Sequence, residues 1–172
     1  MKKSIFGLLL IILSFAIVAT SAFIYEQASS TATQTILEIA SLTLNNAALG
    51  DIEEGDTVLY TPANTSAVND VISVTTGKAN VYMHIDTNLE GQSTYYNTYQ
   101  IEVVVDSAPG GSGLSGTVAT LSIGSPDTAT GIDLDVAGNY VFDFQVTTSA
   151  KQVSGNQGST VNITVSAEST ST

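Results

Sequence analysis

The side chains of this sequence that could carry out chemistry are mostly carboxylates, and they form two groups. The first group contains Asp51, Glu53, Glu54 and Asp56, and the second contains Asp127, Asp133 and Asp135. Oxygen ligands at such spacing can bind calcium, as loops of exported β-domains often do. Neither group matches the calcium-binding loop of EF-hands, and both patterns are typical of solvated acidic turns. We therefore expect no cofactor, with Asp133 and Asp135 as the calcium candidates.

Other catalytic residue types are scarce. The chain contains one histidine, His84, and no cysteine, which excludes thiolate chemistry and disulfides. It has neither the Gly-x-Ser-x-Gly motif of serine hydrolases nor the His-Glu-x-x-His motif of zinc proteases. Paired carboxylates occur in glycosidases, but the absence of tryptophan argues against a sugar-binding cleft. We therefore expect that the protein is not an enzyme.

The N-terminus indicates export. Two lysines precede an apolar run over residues 5–19, which ends in small residues at positions 20–22. This order is that of a secretory signal peptide, and the run is shorter than the ~20 residues that span a membrane. We predict a signal peptide over residues 1–22, cleaved after Ala22, and a secreted product. An uncleaved membrane anchor is the alternative.

The balance of charge narrows the possible partners. Without residues 1–22 the chain keeps only Lys78 and Lys151, and no arginine, against 16 acidic residues. A nucleic-acid groove needs clustered lysine and arginine to neutralise phosphates, so nucleic acid is excluded as a partner. Binding of the mature chain to an anionic membrane is disfavoured for the same reason.

The rest of the chain predicts one all-β domain over residues 35–168 and a polar tail over residues 169–172. Apolar and polar residues alternate in short runs separated by turn residues, which is the pattern of half-buried strands. The predicted strands cover residues 35–44, 57–60, 68–76, 79–87, 98–106, 117–123, 139–148 and 160–167. About eight such strands indicate an antiparallel β-sandwich of jelly-roll or Greek-key type.

Residues 23–34, which would follow cleavage, form a distinct N-terminal segment. Its first residues are Phe23, Ile24, Tyr25, Glu26, Gln27, Ala28, Ser29, Ser30, Thr31, Ala32 and Thr33. The segment favours a β-strand but has little bulk to anchor it within its own domain. Such a segment can act as a donor strand that pairs with the sheet edge of a neighbouring copy, and the head-to-tail repeat extends into a filament. An ordinary first strand or an unstructured lead-in is the alternative.

Two asparagines fit the Asn-x-Ser/Thr pattern of glycosylation, which is relevant in an exported protein. Asn64 lies in a predicted loop, and Asn162 lies in a predicted strand. The alternation of that strand directs the Asn162 side chain outward. Both residues are therefore candidates for modification.

Several stretches together point to a family. They are the Lys-Lys leader, residues 39–46, residues 50–58, residues 74–81 and the strand at residues 138–144. They resemble the exported biofilm-fibre proteins of the TasA/camelysin type and the related archaeal bundling pilins, although Glu54 replaces the proline of their usual Pro-Gly-Asp turn. The resemblance implies a jelly-roll subunit that polymerises through an N-terminal donor strand into extracellular fibres that bundle.

The sequence therefore predicts a structural subunit of an extracellular filament at the cell surface. Its expected partners are copies of itself, with lateral bundling of the fibres. The alternative is a secreted or surface β-sandwich that binds glycans or mediates calcium-dependent adhesion, with Tyr95, Tyr96 and Tyr99 as its platform. A type IV-type pilin is disfavoured because no processing site precedes the apolar run.

Overall fold

In the computed structural model of the chain, residues 40–152 and 159–169 are described. Nine strands lie within these ranges: β1 (Ala40–Leu44), β2 (Thr57–Tyr60), β3 (Ile72–Thr76), β4 (Val81–Thr87), β5 (Tyr96–Ser107), β6 (Thr117–Ser122), β7 (Ile132–Leu134), β8 (Gly138–Ala150) and β9 (Ile163–Glu168). Two short 3-10 turns, Ser66–Val68 and Leu89–Thr94, accompany them. The prediction of an all-β antiparallel sandwich is confirmed.

The described strands form two antiparallel sheets of unequal size. The larger sheet has the order β1-β3-β8-β5-β6, with β2 also paired to β8, and the smaller has the order β7-β4-β9. Strand β5 pairs with β8 from Tyr96↔Ala150 to Ser107↔Val141, so it occupies one edge of β8 almost completely. Strands β2 and β3 therefore share the other edge, end to end.

The core forms where the two sheets face each other, and it follows from strict alternation along the strands. Tyr140, Phe142, Phe144 and Val146 of β8 are buried, as the alternation of apolar and polar residues in the predicted strand over residues 139–148 requires. Met83 and the other inward residues of β4 meet them from the smaller sheet. Each fully buried aliphatic or aromatic side chain contributes about 1.5–3 kcal/mol, so this one cluster dominates stability.

Several predicted boundaries differ from the observed ones, and the backbone gives the reason. The predicted strand over residues 68–76 begins only at Ile72, because Val68 closes a 3-10 turn and Asp70 has a positive φ of 50°. The strand predicted from residue 79 begins at Val81, since Asn80 has a φ of 56°. Strand β7 was not predicted.

The predicted leader (residues 1–22), the donor-strand segment (residues 23–34) and the last tail residues (170–172) lie outside the described residues. So do residues 35–39 of the first predicted strand, which the structure describes from Ala40. Within residues 40–152 and 159–169, no helix has the length and apolar character needed to cross a membrane.

Candidate binding groove

A groove lies against the inner face of the larger sheet, towards the C-terminal end of β8. We define it by a floor from β2, β5 and β8 and by two walls, residues 44–50 with Ile52 and residues 159–163. The floor residues are Tyr60, Tyr99, Ile101, Phe144, Val146 and Thr148. The enclosed volume is about 590 Å³. That size suits a few side chains or a small ligand.

The register of the strands arranges the floor in successive rows. Phe144 forms the first row, and Ile101, Val146 and Tyr60 pair across the sheet to form the second. Thr148 pairs with Tyr99 in the third row. Consecutive rows are about 6.6 Å apart, because side chains on one face recur every two residues. The groove is therefore apolar at Phe144 and carries hydroxyl groups at the row of Thr148.

One wall of the groove is attached through a corner at Asp70. The main-chain N–H of Asn45 donates to the Val71 carbonyl at 2.8 Å, and the Asn45 side chain donates to the Asp70 carbonyl at 2.9 Å. The Asp70 N–H in turn donates to Asp143 Oδ1 at 2.8 Å. The chain is thereby held where it leaves Leu44, an apolar wall residue that is 37% exposed.

Asp143 is the charged part of this corner, and it lies on the face of β8 opposite the core side chains. It is only 8% exposed. Burial raises the pKa of its carboxyl, the hydrogen bond from Asp70 opposes the shift, and the negative charges of Asp106 and Asp70 reinforce it. Alternation correctly placed Asp143 opposite the core, but a turn from elsewhere in the chain covers it.

Three tyrosines surround the hydroxyl-bearing end of the groove. The rings of Tyr96 and Tyr99 meet edge to face, with centroids 5.0 Å apart at 83°. Burial raises the pKa of Tyr99 to about 12, with further contributions from Tyr96 and Tyr60. Ser159 Oγ donates to the Tyr96 hydroxyl at 3.0 Å and ties the second wall to this cluster. The expected platform of exposed tyrosines is wrong at Tyr99, which is 9% exposed and forms part of the floor.

Two buried polar atoms at this end lack a hydrogen-bond partner within the described residues. They are Thr148 Oγ1, on the floor, and Gln92 Oε1. The Gln92 amide also touches the wall, because its Nε2 donates to the Thr160 carbonyl at 3.2 Å. A buried polar group without a partner costs about 1–3 kcal/mol, so the vacant hydrogen-bonding capacity is energetically significant.

The calcium candidates do not converge on a site within the described residues. Asp133 is exposed on β7, whereas Asp135 Oδ2 accepts a 3.0 Å hydrogen bond from the Gly113 N–H. That bond is the main cause lowering the pKa of Asp135. No group of three or more potential metal-ligating side chains occurs in residues 40–152 and 159–169. The Asp135 carboxylate therefore holds the loop at Gly113 in place through this hydrogen bond.

The two glycosylation candidates differ in how their side chains are used. Asn64 Nδ2, the atom that would carry a glycan, donates to the Leu59 carbonyl at 2.7 Å. The Asn64 side-chain oxygen accepts from the Thr61 N–H at 2.8 Å. Asn162 is exposed and lies immediately before β9, which begins at Ile163 and not at residue 160 as predicted. Both asparagines are thus exposed, but Nδ2 of Asn64 is engaged in a hydrogen bond.

Among the residues that line the groove, the sequence pattern singles out only Tyr96 and Tyr99, as a binding platform, and Asn162, as a glycosylation candidate. Thr148 was placed at the end of a predicted strand, with no sign that its hydroxyl would be buried. Comparison with protein-family models finds no match, and a search of curated proteins finds no significant match. The chemistry of the groove therefore carries the functional argument.

Proposed function

We propose that this protein is a structural subunit of an extracellular filament, and that its groove receives residues 23–34 of the next copy as a donor strand. The observation that carries the proposal is the position of the groove relative to the start of the domain. The two lie at opposite ends of β8. The N-terminal segment would precede the domain at one end of β8, and the groove lies at the other end. This arrangement suits head-to-tail assembly.

Strand pairing defines the two ends. Ala40 pairs with Thr76, and Thr76 pairs with Gly138, so the described chain enters the sandwich beside the start of β8. Thr148 lies ten residues further along β8, a distance of about 33 Å in an extended strand. We call these the Gly138 end and the Thr148 end. The chain that precedes Ala40 joins the domain at the Gly138 end.

Strand directions are also compatible with simple stacking. Strands β1 and β8 both run antiparallel to β3, so they run in the same direction. A second copy displaced along this direction brings its Gly138 end to the Thr148 end of the first. Residues 23–34 span up to about 40 Å when extended, enough to reach the groove. The contact is heterologous and does not close, and its repetition therefore produces a filament.

The groove offers what a strand needs from its acceptor. Its apolar floor can bury alternate side chains, and β9, whose Ile163 lines the wall, pairs only with β4 among the described strands. The second edge of β9 can therefore supply main-chain hydrogen bonds, the usual source of affinity in strand addition. The resemblance to fibre proteins and the predicted export leader are in line with the same proposal.

A secreted module that binds a glycan or mediates calcium-dependent adhesion is the second candidate. The observation that favours it is the tyrosine-lined groove, since aromatic rings beside hydroxyl groups also suit a sugar. The two candidates differ in the expected state of the pure protein. A filament subunit polymerises by itself, whereas a binding module stays monomeric and retains ligands as a monomer.

Electron microscopy of residues 23–172, incubated at high concentration, tests the proposal. We expect regular filaments, and we expect a chain that lacks residues 23–33 to stay folded and monomeric. Circular dichroism and a cooperative thermal transition are the controls that the shortened domain is intact. Filaments from the shortened chain would overturn the donor-strand mechanism, and monomers from both chains would favour the binding module.

A further inference from the structure

The hydroxyl-bearing end of the groove has hydrogen-bonding capacity that an apolar occupant could not satisfy. Within the described residues, Thr148 Oγ1 is buried on the floor without a hydrogen-bond partner. This hydroxyl can accept a hydrogen bond and can also donate one. An occupant that satisfies it must carry a polar hydrogen-bonding group at the level of Thr148.

We propose that Thr148 sets the register of the incoming strand, with its hydroxyl bonded to that of Ser29 from a second copy. The odd-numbered side chains of residues 23–33 then face the floor. This inference rests on the proposed filament function and adds the face, direction and register of the donor strand.

Charge selects the odd-numbered face. Successive side chains of a strand point to opposite faces, so only one of Glu26 and Gln27 can enter the groove. The described residues that line the groove include no lysine, arginine or histidine, and a carboxylate buried without a cationic partner is strongly unfavourable. The odd face, which carries Gln27, has no charged side chain. The even face carries Glu26 and is therefore directed away from the floor.

Spacing selects the register and the direction. Phe144 and Thr148 are four residues apart on the floor, and Tyr25 and Ser29 are four residues apart in the segment. Both intervals are about 13 Å in extended chains. With Ser29 against Thr148, Tyr25 lies over Phe144 at the apolar end, and the donor runs in the same direction as β8. This is the direction that the stacking of copies requires.

Cross-linking tests this register, and the absence of native cysteine makes every disulfide assignable. Disulfides join facing sheets in other sandwiches, so a disulfide across the groove is geometrically feasible. We expect Ser29→Cys combined with Thr148→Cys to give a covalent ladder of oligomers on oxidation. The matched control, Ser30→Cys combined with Thr148→Cys, differs by one position and should give no ladder. A ladder from the control alone, or equally from both, would overturn the register.

A pair of charge variants supplies a second test that does not depend on disulfide geometry. Gln27→Glu places a carboxylate in the groove and should raise the concentration needed for polymerisation by about tenfold or more. Glu26→Gln, on the opposite face, should change it by less than about twofold. The reverse order would overturn the choice of face even if neither cysteine pair forms a ladder.

Filament formation by the unmodified chain distinguishes a wrong register from a wrong function. Filaments of the unmodified chain with a ladder only from the Ser30→Cys pair would retain the filament and reject the register. If the unmodified chain forms no filaments, and an added peptide of residues 23–34 does not bind the shortened domain, both ideas are wrong.

Discussion

The two ends of β8 belong to one strand but differ in how completely their polar groups are satisfied. At the Gly138 end, Thr76 Oγ1 accepts from the Gly138 N–H at 3.1 Å, and the Tyr140 hydroxyl donates to the Val136 carbonyl at 2.7 Å. At the Thr148 end, a buried hydroxyl has no partner within the described residues, and the adjacent groove has a volume of about 590 Å³. The polar groups at the first end are thus satisfied, whereas the second end has room and hydrogen-bonding capacity for another group.

This difference separates hydrogen-bonded polar groups, which stabilise the domain, from a buried hydroxyl that has no partner within the described residues. Polar groups buried with partners contribute to the stability of the monomer, and buried groups without partners reduce it. Substitutions of the same chemical kind should therefore have opposite effects at the two ends of β8.

The largest effect in the monomer is expected from Gly138→Ala, at the completed end. Gly138 has a φ of 149°, which disfavours any L side chain, and an added Cβ would lie 2.7 Å from Pro109 Cγ. Strain and overpacking together should lower the free energy of unfolding by about 2–3 kcal/mol, measured by urea denaturation.

Gly124→Ala is the control for that substitution, because nothing lies within 4 Å of an added Cβ at Gly124. It should change the stability by less than about 0.5 kcal/mol. Equal losses at the two glycines would contradict the assignment of tight packing to the Gly138 end.

A matched pair of smaller effects comes from two buried threonines on β3 and β8. Thr76→Val removes a hydroxyl that is hydrogen-bonded to Gly138 and should destabilise the monomer by about 1 kcal/mol. Thr148→Val removes an unpartnered hydroxyl and should stabilise the monomer by about 1 kcal/mol. Thermal unfolding of the chain that lacks residues 23–33 measures both without interference from polymerisation.

Variants of Thr148 also test the proposal that its hydroxyl takes part in binding a second copy. Thr148→Val should weaken polymerisation of residues 23–172 while it stabilises the monomer, and Thr148→Ser should restore polymerisation. Destabilisation of the monomer by Thr148→Val would mean that the hydroxyl is already satisfied within one copy.

How much could be predicted from the sequence depended on the length of each pattern. The long alternation of β8 identified its buried face, including Phe142 and Phe144, because four bulky residues in register are rarely accidental. Strand β7 was missed, since Ile132–Leu134 is too short to distinguish from an acidic turn. From sequence alone, Asp133 of this stretch therefore resembles a calcium ligand in a turn.

The groove could not be predicted from the sequence either, and here the physical reason is different. A period of two residues indicates which side chains share a face, but it does not indicate which strands become neighbours. Tyr60, Tyr99 and Thr148 come together only through the pairing of β2 and β5 with β8. The N-terminal segment lies outside the described residues, and its role stays a prediction from composition.

The smallest expected effects are those of two carboxylates whose pKa values shift in opposite directions. The Gly113 N–H is the main cause lowering the pKa of Asp135, whereas burial raises the pKa of Asp143. Asp135 in the folded state therefore binds its proton less readily than in the unfolded chain. Its contribution to stability is fully present above the ordinary pKa of 3.8 and is lost as the pH falls from 3.8 through the lower pKa of the folded state. The contribution of Asp143 to stability has the opposite pH dependence. Burial of its charged carboxylate opposes folding at neutral pH, and protonation relieves that cost.

Asparagine substitutions at these two positions test the signs directly. Asp135→Asn should destabilise the monomer at pH 7, and this effect should shrink as the pH falls below 3.8 towards the lowered pKa of the folded state. Asp143→Asn keeps an oxygen that can accept from the Asp70 N–H while it removes the buried charge, so it should stabilise at pH 7. That gain should shrink as the pH falls and the native carboxyl becomes protonated. Urea midpoints of both variants across this pH range, in the chain that lacks residues 23–33, measure the two curves. Parallel curves would contradict the opposite environments assigned to the two carboxylates, because only opposite shifts make one substitution harmful and the other favourable at the same pH.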